Sequence, residues 1–182
     1  MPKRLSLFCC LTALLCGNLI TLAPAWAATL LPPTPDLLSL EDMALAIIVN
    51  KTNPVENLSL NDLRSLLLAE QRSWANGRRV TIVMREPGQA ERLTMLRSVC
   101  RMTDGDYIRY FMQAQFVGDL QATPKVLTTA AGMRKFVFNV PGAVGYLRAN
   151  EVDASVKVVR VDGRLPGEPG YKLKFVSTVS HG

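Results

Sequence analysis

Histidine is almost absent from this chain: its 182 residues hold one, His181, second from the end. A histidine-based metal cluster inside the fold is therefore excluded, and so is a Ser-His or Cys-His nucleophilic pair. Cysteine is nearly as scarce where it matters. Cys9, Cys10 and Cys16 fall within the first 27 residues, which leaves Cys100 as the single thiol of the remainder. No internal disulfide can hold that remainder, so a packed core must. Cys100 lies on an apolar helical stripe and reads as a core residue, as free cysteines usually are. Neither common Gly-rich phosphate-loop pattern is present. Aromatic residues make up 7% of the chain and do not interleave with bases, which removes the stacking platform of a nucleic-acid binder. Asp104 and Asp106 read as helix-capping residues rather than paired carboxylates. With no proton-transfer group inside the fold, the expectation is a non-enzyme without cofactor or metal.

What is present begins at the N-terminus. Lys3 and Arg4 precede a mostly apolar run, Leu5 to Leu22, and Ala25-Trp26-Ala27 supplies a small-x-small cleavage site. These are the three parts of a secretory signal, predicted over residues 1–27 and directing the chain to the periplasm. The run is at the short limit for a membrane-spanning helix, and Thr12, Gly17, Asn18 and Thr21 interrupt it. Removing the signal takes two bases and no acids, so 21 basic and 15 acidic residues become 19 and 15, a net charge of +4. That mild balance fits a small anion or a solvated surface, with Lys and Arg spread along the whole sequence.

Residues 28–43 carry Pro32, Pro33 and Pro35 and read as an extended leader; a single α/β domain is expected over 44–182. Ala44 to Val49 has the pattern of a strand buried on both faces, ending at Asn50. Ser59 to Asp62 is a capping-box variant before a helix carrying Leu63, Leu66 and Leu67. Val80 to Met84 predicts a second strand that ends at Arg85, and Glu86-Pro87-Gly88 turns into a helix starting near Gln89. That helix places Leu93, Leu96, Val99 and Cys100 inward and Arg92, Arg97 and Arg101 elsewhere. A third helix after Thr103 directs Tyr107, Ile108, Phe111 and Met112 inward, and a fourth spans Thr129 to Phe138 with Met133, Phe136 and Val137. Gly118 to Pro124 reads as loop. Ala143 to Leu147 and Val156 to Val161 are further strands. The alternation of Tyr171, Leu173 and Phe175 with Lys172, Lys174 and Val176 predicts a last edge strand.

The chemistry concentrates at Arg85, where a strand turns through Pro-Gly into a helix. Backbone N–H groups at a helix start carry partial positive charge, and a guanidinium fork beside them suits an anion. An arginine at such a turn is also a common surface charge.

At this point the residues resemble a family. Asn50-Lys51, the Asp62 to Leu68 helix, Trp74, Ile82-Val83-Met84-Arg85 and its turn look like the phosphate-binding protein of phosphate ABC importers, PstS. Pro141-Gly142-Ala143-Val144-Gly145-Tyr146 is similar to that family's Pro-Gly-Ala-Ile-Gly-Tyr segment. Phe116-Val117-Gly118 and Pro124 match small, PstS-like exported proteins of about half the usual length. The likeness spans roughly residues 44 to 163.

The resemblance implies a periplasmic-binding-protein-like sheet flanked by helices, a reduced version of a two-lobe fold that closes on an anion. It implies an exported solute-binding protein for inorganic phosphate or a similar oxyanion, linked to ABC-type uptake. Arg85 would fork onto the anion, Gly88 and Ala90 would donate from the backbone, Gln89 would supply an amide, and Arg92 a second positive donor. Asn50 and Lys51 would line the opposite wall. The chain departs from the family in two respects. Only about 16 residues separate Ala27 from the first matched strand, where the family has a large N-terminal portion with a Gly- and Thr-rich binding loop. Gln89, Ala90 and Glu91 also stand where the family's turn has Ser, Gly and Thr. A Glu91 carboxylate turned inward would repel a dianion; its place in a helix's first turn is equally consistent with an outward orientation. The alternative is a PstS-like module without ligand, acting through contacts with a permease or another envelope protein, as a monomer or weak homodimer.

Overall fold

The computed structural model describes residues 44–118 and 123–175. The expectations for the signal, the leader, the middle of the loop after Gly118, and Val176 lie outside those residues. The described elements run β1 (Leu45–Val49), β2 (Asn57–Leu58), α1 (Leu60–Leu67), β3 (Thr81–Arg85), α2 (Ala90–Met95), α3 (Asp104–Phe116), β4 (Lys125–Leu127), α4 (Ala130–Asn139), β5 (Ala143–Arg148) and β6 (Lys157–Val161). A π-helical turn, Leu96–Cys100, extends α2, and a 3-10 turn, Ala149–Glu151, follows β5.

The strands form one mixed sheet of order β2-β6-β1-β5-β3-β4. β1 lies at its centre, antiparallel to both β5 and β6, and β3 runs parallel to β5 and β4. All five residues of β1 are buried, and the strand period of two sends alternate side chains to opposite faces. Leu45, Ile47 and Val49 join a core with Leu63, Leu66 and Leu67 of α1, Met95 and Leu96, and Tyr107 and Phe111 of α3. Ala46 and Ile48 join Met133 and Val137 of α4 on the other face. The result is an α/β sheet covered on both faces, as expected.

Local chemistry sets the helix starts. The Ser59 hydroxyl accepts from Asp62 N–H at 3.1 Å while Asp62 accepts from Ser59 N–H, also at 3.1 Å, completing a capping box. Thr103 and Thr129 cap α3 and α4 in the same one-sided way.

Four expectations are corrected. Arg92 faces inward at 3% exposure, because an aspartate from another element neutralises it. Ile108 and Met112 are 42% and 65% exposed, since α3 offers only the Tyr107–Phe111 edge to the core. Tyr171 and Leu173 are buried as the alternation required, but this segment pairs with the sheet only through an isolated Ala44–Lys174 bridge and is not a strand. β2 and β4, of two and three residues, were not anticipated, being too short to carry a period.

Candidate functional site

β3 ends at Arg85, and the turn after it is shaped by Gly88 at φ 83°, a conformation costly for any residue with a Cβ. Gln89 is extended and precedes α2 without a side-chain cap, so the Ala90 N–H is not taken by it. Around this turn three arginines and two carboxylates come together from four parts of the chain.

Arg85 is fixed by its backbone at both sides: its N–H donates to the Tyr146 hydroxyl at 3.0 Å, and its C=O accepts from Arg92 Nη1 at 3.0 Å. Its side chain is 9% exposed, and Nη1 is buried with no hydrogen-bond partner among the described residues. Burial pushes the Tyr146 hydroxyl well above the ordinary tyrosine range, so it stays a neutral donor and acceptor.

Arg92 is committed elsewhere. Its Nε donates to Asp104 Oδ1 at 2.6 Å, and its guanidinium carbon lies 5.5 Å from the centre of the Tyr107 ring. Asp104 Oδ2 also accepts the Gly88 N–H at 3.3 Å. Asp104 therefore ties the turn to α3 instead of capping that helix, whose cap is Thr103.

Glu91 points inward, at 6% exposure. Oε1 accepts from Arg148 Nε at 2.6 Å, while Oε2 is buried without a partner among the described residues. Burial pushes the Glu91 carboxyl up, but the Arg148 hydrogen bond and the charges of Arg148 and Arg85 more than offset this and hold it below its ordinary value. The same bond raises Arg148. Arg148 further covers the Phe175 ring at 4.9 Å. With Arg85, Arg92 and Arg148 set against Glu91 and Asp104, the cluster keeps one net positive charge.

The structure does not bring Asn50 and Lys51 to this cluster. β1 runs antiparallel to β5, and β3 runs parallel to it, with Val49 and Ile82 both paired to Val144. Asn50 and Lys51 therefore follow the end of the sheet where β3 begins, roughly 13 Å along the strands from Arg85. The Asn50 amide is spent on the carbonyls of Val137 at 3.0 Å and Phe138 at 2.6 Å, and Lys51 is exposed. Gly88 and Ala90 are exposed and Gln89 is half-buried. Tyr146, Asp104 and Arg148 are the participants that local sequence reading missed; of these, only Tyr146 lay within a recognisable segment.

No family model matches the sequence, and no curated protein matches it. Solved structures do. An ABC-type phosphate transport receptor from Vibrio cholerae is 23% identical with a TM-score of 0.56, covering 68% of this chain and 48% of that one. A putative phosphate ABC transporter substrate-binding protein from Clostridium perfringens, with bound phosphate, is 22% identical with a TM-score of 0.56 over 68% and 47%. PstS from Borrelia burgdorferi is 12% identical with a TM-score of 0.56 over 73% and 55%. The fold is thus the PstS-like, periplasmic-binding-protein-like one, and the chain spans about half the length of these structures. These neighbours are binding proteins rather than enzymes. Among the described residues, no helix is long and apolar enough to cross a membrane.

Proposed function

We propose that this chain is an exported oxyanion-binding protein, with inorganic phosphate as ligand and an ABC permease as partner, and that the Arg85 turn is its anion site. The observation that carries the reading is the buried, uncommitted Nη1 of Arg85. A guanidinium stays charged at any physiological pH, and a buried donor left without an acceptor is costly, so an anion oxygen at this position relieves a penalty. The Arg92 and Arg148 charges are already matched, which makes Arg85 the source of the cluster's residual positive charge.

The binding set is Arg85, the Gln89 amide and the Ala90 N–H at the start of α2. Gly88 contributes its backbone conformation, because its N–H is held by Asp104. Glu91 does not repel the ligand if the ligand brings a proton: Oε2 is an acceptor in want of a donor. Phosphate carries a proton at neutral pH and sulfate does not, so the pair Arg85 and Glu91 favours phosphate.

Calorimetric titration of residues 28–182 with phosphate and with sulfate tests this reading. Phosphate heat that vanishes in Arg85→Ala, with no sulfate heat in either protein, is the expected result. Absence of heat with both anions in the unaltered protein rejects it.

A second reading has its own observation. Met112, Phe116 and Val117 on and after α3 and Val126 on the edge strand β4 are exposed at 65%, 95%, 72% and 45%. Apolar exposure on this scale suits contact with an envelope protein, and failure of every anion titration would favour that role.

A further inference from the structure

The end of the sheet opposite Arg85 holds a cleft of about 550 Å³. It lies where β3 begins, and its polar lining is Gln71, Arg72, Ser73, Arg79, Thr81 and Thr123. No carboxylate lines it among the described residues, and neither Arg72 nor Arg79 takes part in an ion pair there. Two unmatched guanidinium groups, three hydroxyls and an amide therefore border one space.

The frame that carries the arginines is rigidly held. Arg72 and Arg79 stand on a small hairpin closed by the Ser73–Arg79 bridge, by Val80 N–H to Arg72 C=O at 2.9 Å, and by Trp74 N–H to Arg78 C=O at 2.8 Å. The Trp74 indole N–H and the Thr81 N–H both donate to the Gly142 carbonyl at 2.9 Å, which fastens the hairpin to the start of β5. The backbone that carries them is thus fixed, while the Arg72 and Arg79 side chains are exposed to a ligand.

We infer that this cleft is a second anion site, separate from the Arg85 turn, that takes a phosphomonoester. Its volume exceeds what a bare oxyanion fills and falls in the range of small-molecule sites. Ala69, Val80, Ile82 and Pro124 give it an apolar side for the organic part of the ligand. A phosphoryl group offers three oxygens to the two guanidinium forks and the Ser73 and Thr81 hydroxyls; a carboxylate offers two.

Phenyl phosphate is the probe. It is titrated into the full chain, and the titration is repeated with benzoate. Binding is expected to weaken at least tenfold in Arg72→Gln/Arg79→Gln and to stay unchanged in Arg85→Ala, with benzoate binding at least tenfold more weakly than phenyl phosphate. Amide shifts in the unaltered protein at Ser73, Thr81 and Gly142, rather than at Gly88 and Gln89, supply the same test without any substitution. No binding of phenyl phosphate overturns the inference, as does binding that is lost in Arg85→Ala or amide shifts confined to the Arg85 turn. Equal affinity for benzoate overturns the phosphomonoester class.

Discussion

Arg92 Nε and Asp104 Oδ1 meet at 2.6 Å with 3% and 19% of their side chains exposed, joining the first turn of α2 to the first residue of α3. The same aspartate holds the Gly88 N–H, so one carboxylate positions the turn that follows Arg85. Asp104→Asn leaves a buried guanidinium facing a neutral group. The expected loss is about 2–4 kcal/mol, near the value for breaking a buried pair, read as a fall in the denaturant midpoint. Arg92→Met combined with Asp104→Leu should recover most of that loss; a double variant as unstable as Asp104→Asn would contradict this account.

Glu91 gives a pH signature. Its folded carboxyl is held below the ordinary value of 4.5, so its stabilising effect is complete above that pH and is lost as pH falls through the folded value. Glu91→Gln should therefore lower Tm at neutral pH, by about 1–2 kcal/mol equivalent because Arg148 is partly hydrated. The gap between the two proteins should close as pH falls through that folded value. A gap that persists in acid would show that the side chain's shape, not its charge, matters.

Ala69 occupies φ 57° just past the end of α1, where its own N–H reaches Leu66 C=O and the Glu70 N–H reaches Ser65 C=O. This is a helix terminus that favours glycine, and alanine there costs about 1 kcal/mol. Ala69→Gly should raise Tm by roughly 3–5 °C; scanning calorimetry decides it.

Gly142 is constrained by space instead. A Cβ at this position would fall 2.0 Å from the Arg79 carbonyl oxygen. Gly142→Ala must push the hairpin away from β5, with the loss of the Trp74 indole hydrogen bond to this residue's carbonyl. A drop of at least 2 kcal/mol, on the order of other overpacking losses, together with a red-shifted tryptophan emission, is the expected outcome.

Cys100 is fully buried, and burial pushes its thiol up to about 12. A thiol reagent should label Cys100 in residues 28–182, where it is the single thiol, no faster than the protein unfolds, and label it at once in denaturant. Prompt labelling under native conditions would mean that the π-helical turn opens locally.

The parts of the fold legible in the sequence were those whose causes lie within a few residues. The Ser59 capping box, the Thr103 cap and the doubly buried run of β1 are of this kind, and the structure bears them out. Arg92 was misplaced because the group that lets an arginine turn inward, Asp104, belongs to the next helix. Ile108 and Met112 have the right period for a core stripe, but the width of the stripe depends on how closely α3 approaches its neighbours. Asn50 and Arg85 both end buried strands, so each looked like a residue at a sheet end. Which end is a matter of strand direction, and the antiparallel run of β1 against β5 separates them.

The position of β1 bears on when this chain can fold. Its first strand pairs Leu45 with Arg148 and Ile47 with Val159, and the Leu45 N–H waits for the Leu173 carbonyl. Each of these partners is on the order of 100 residues downstream, a separation that makes pairing slow. A nascent chain halfway through synthesis has β1, α1 and β3 but no strand to lie between β1 and β3. The sheet can therefore close only after residues 143–161 have emerged.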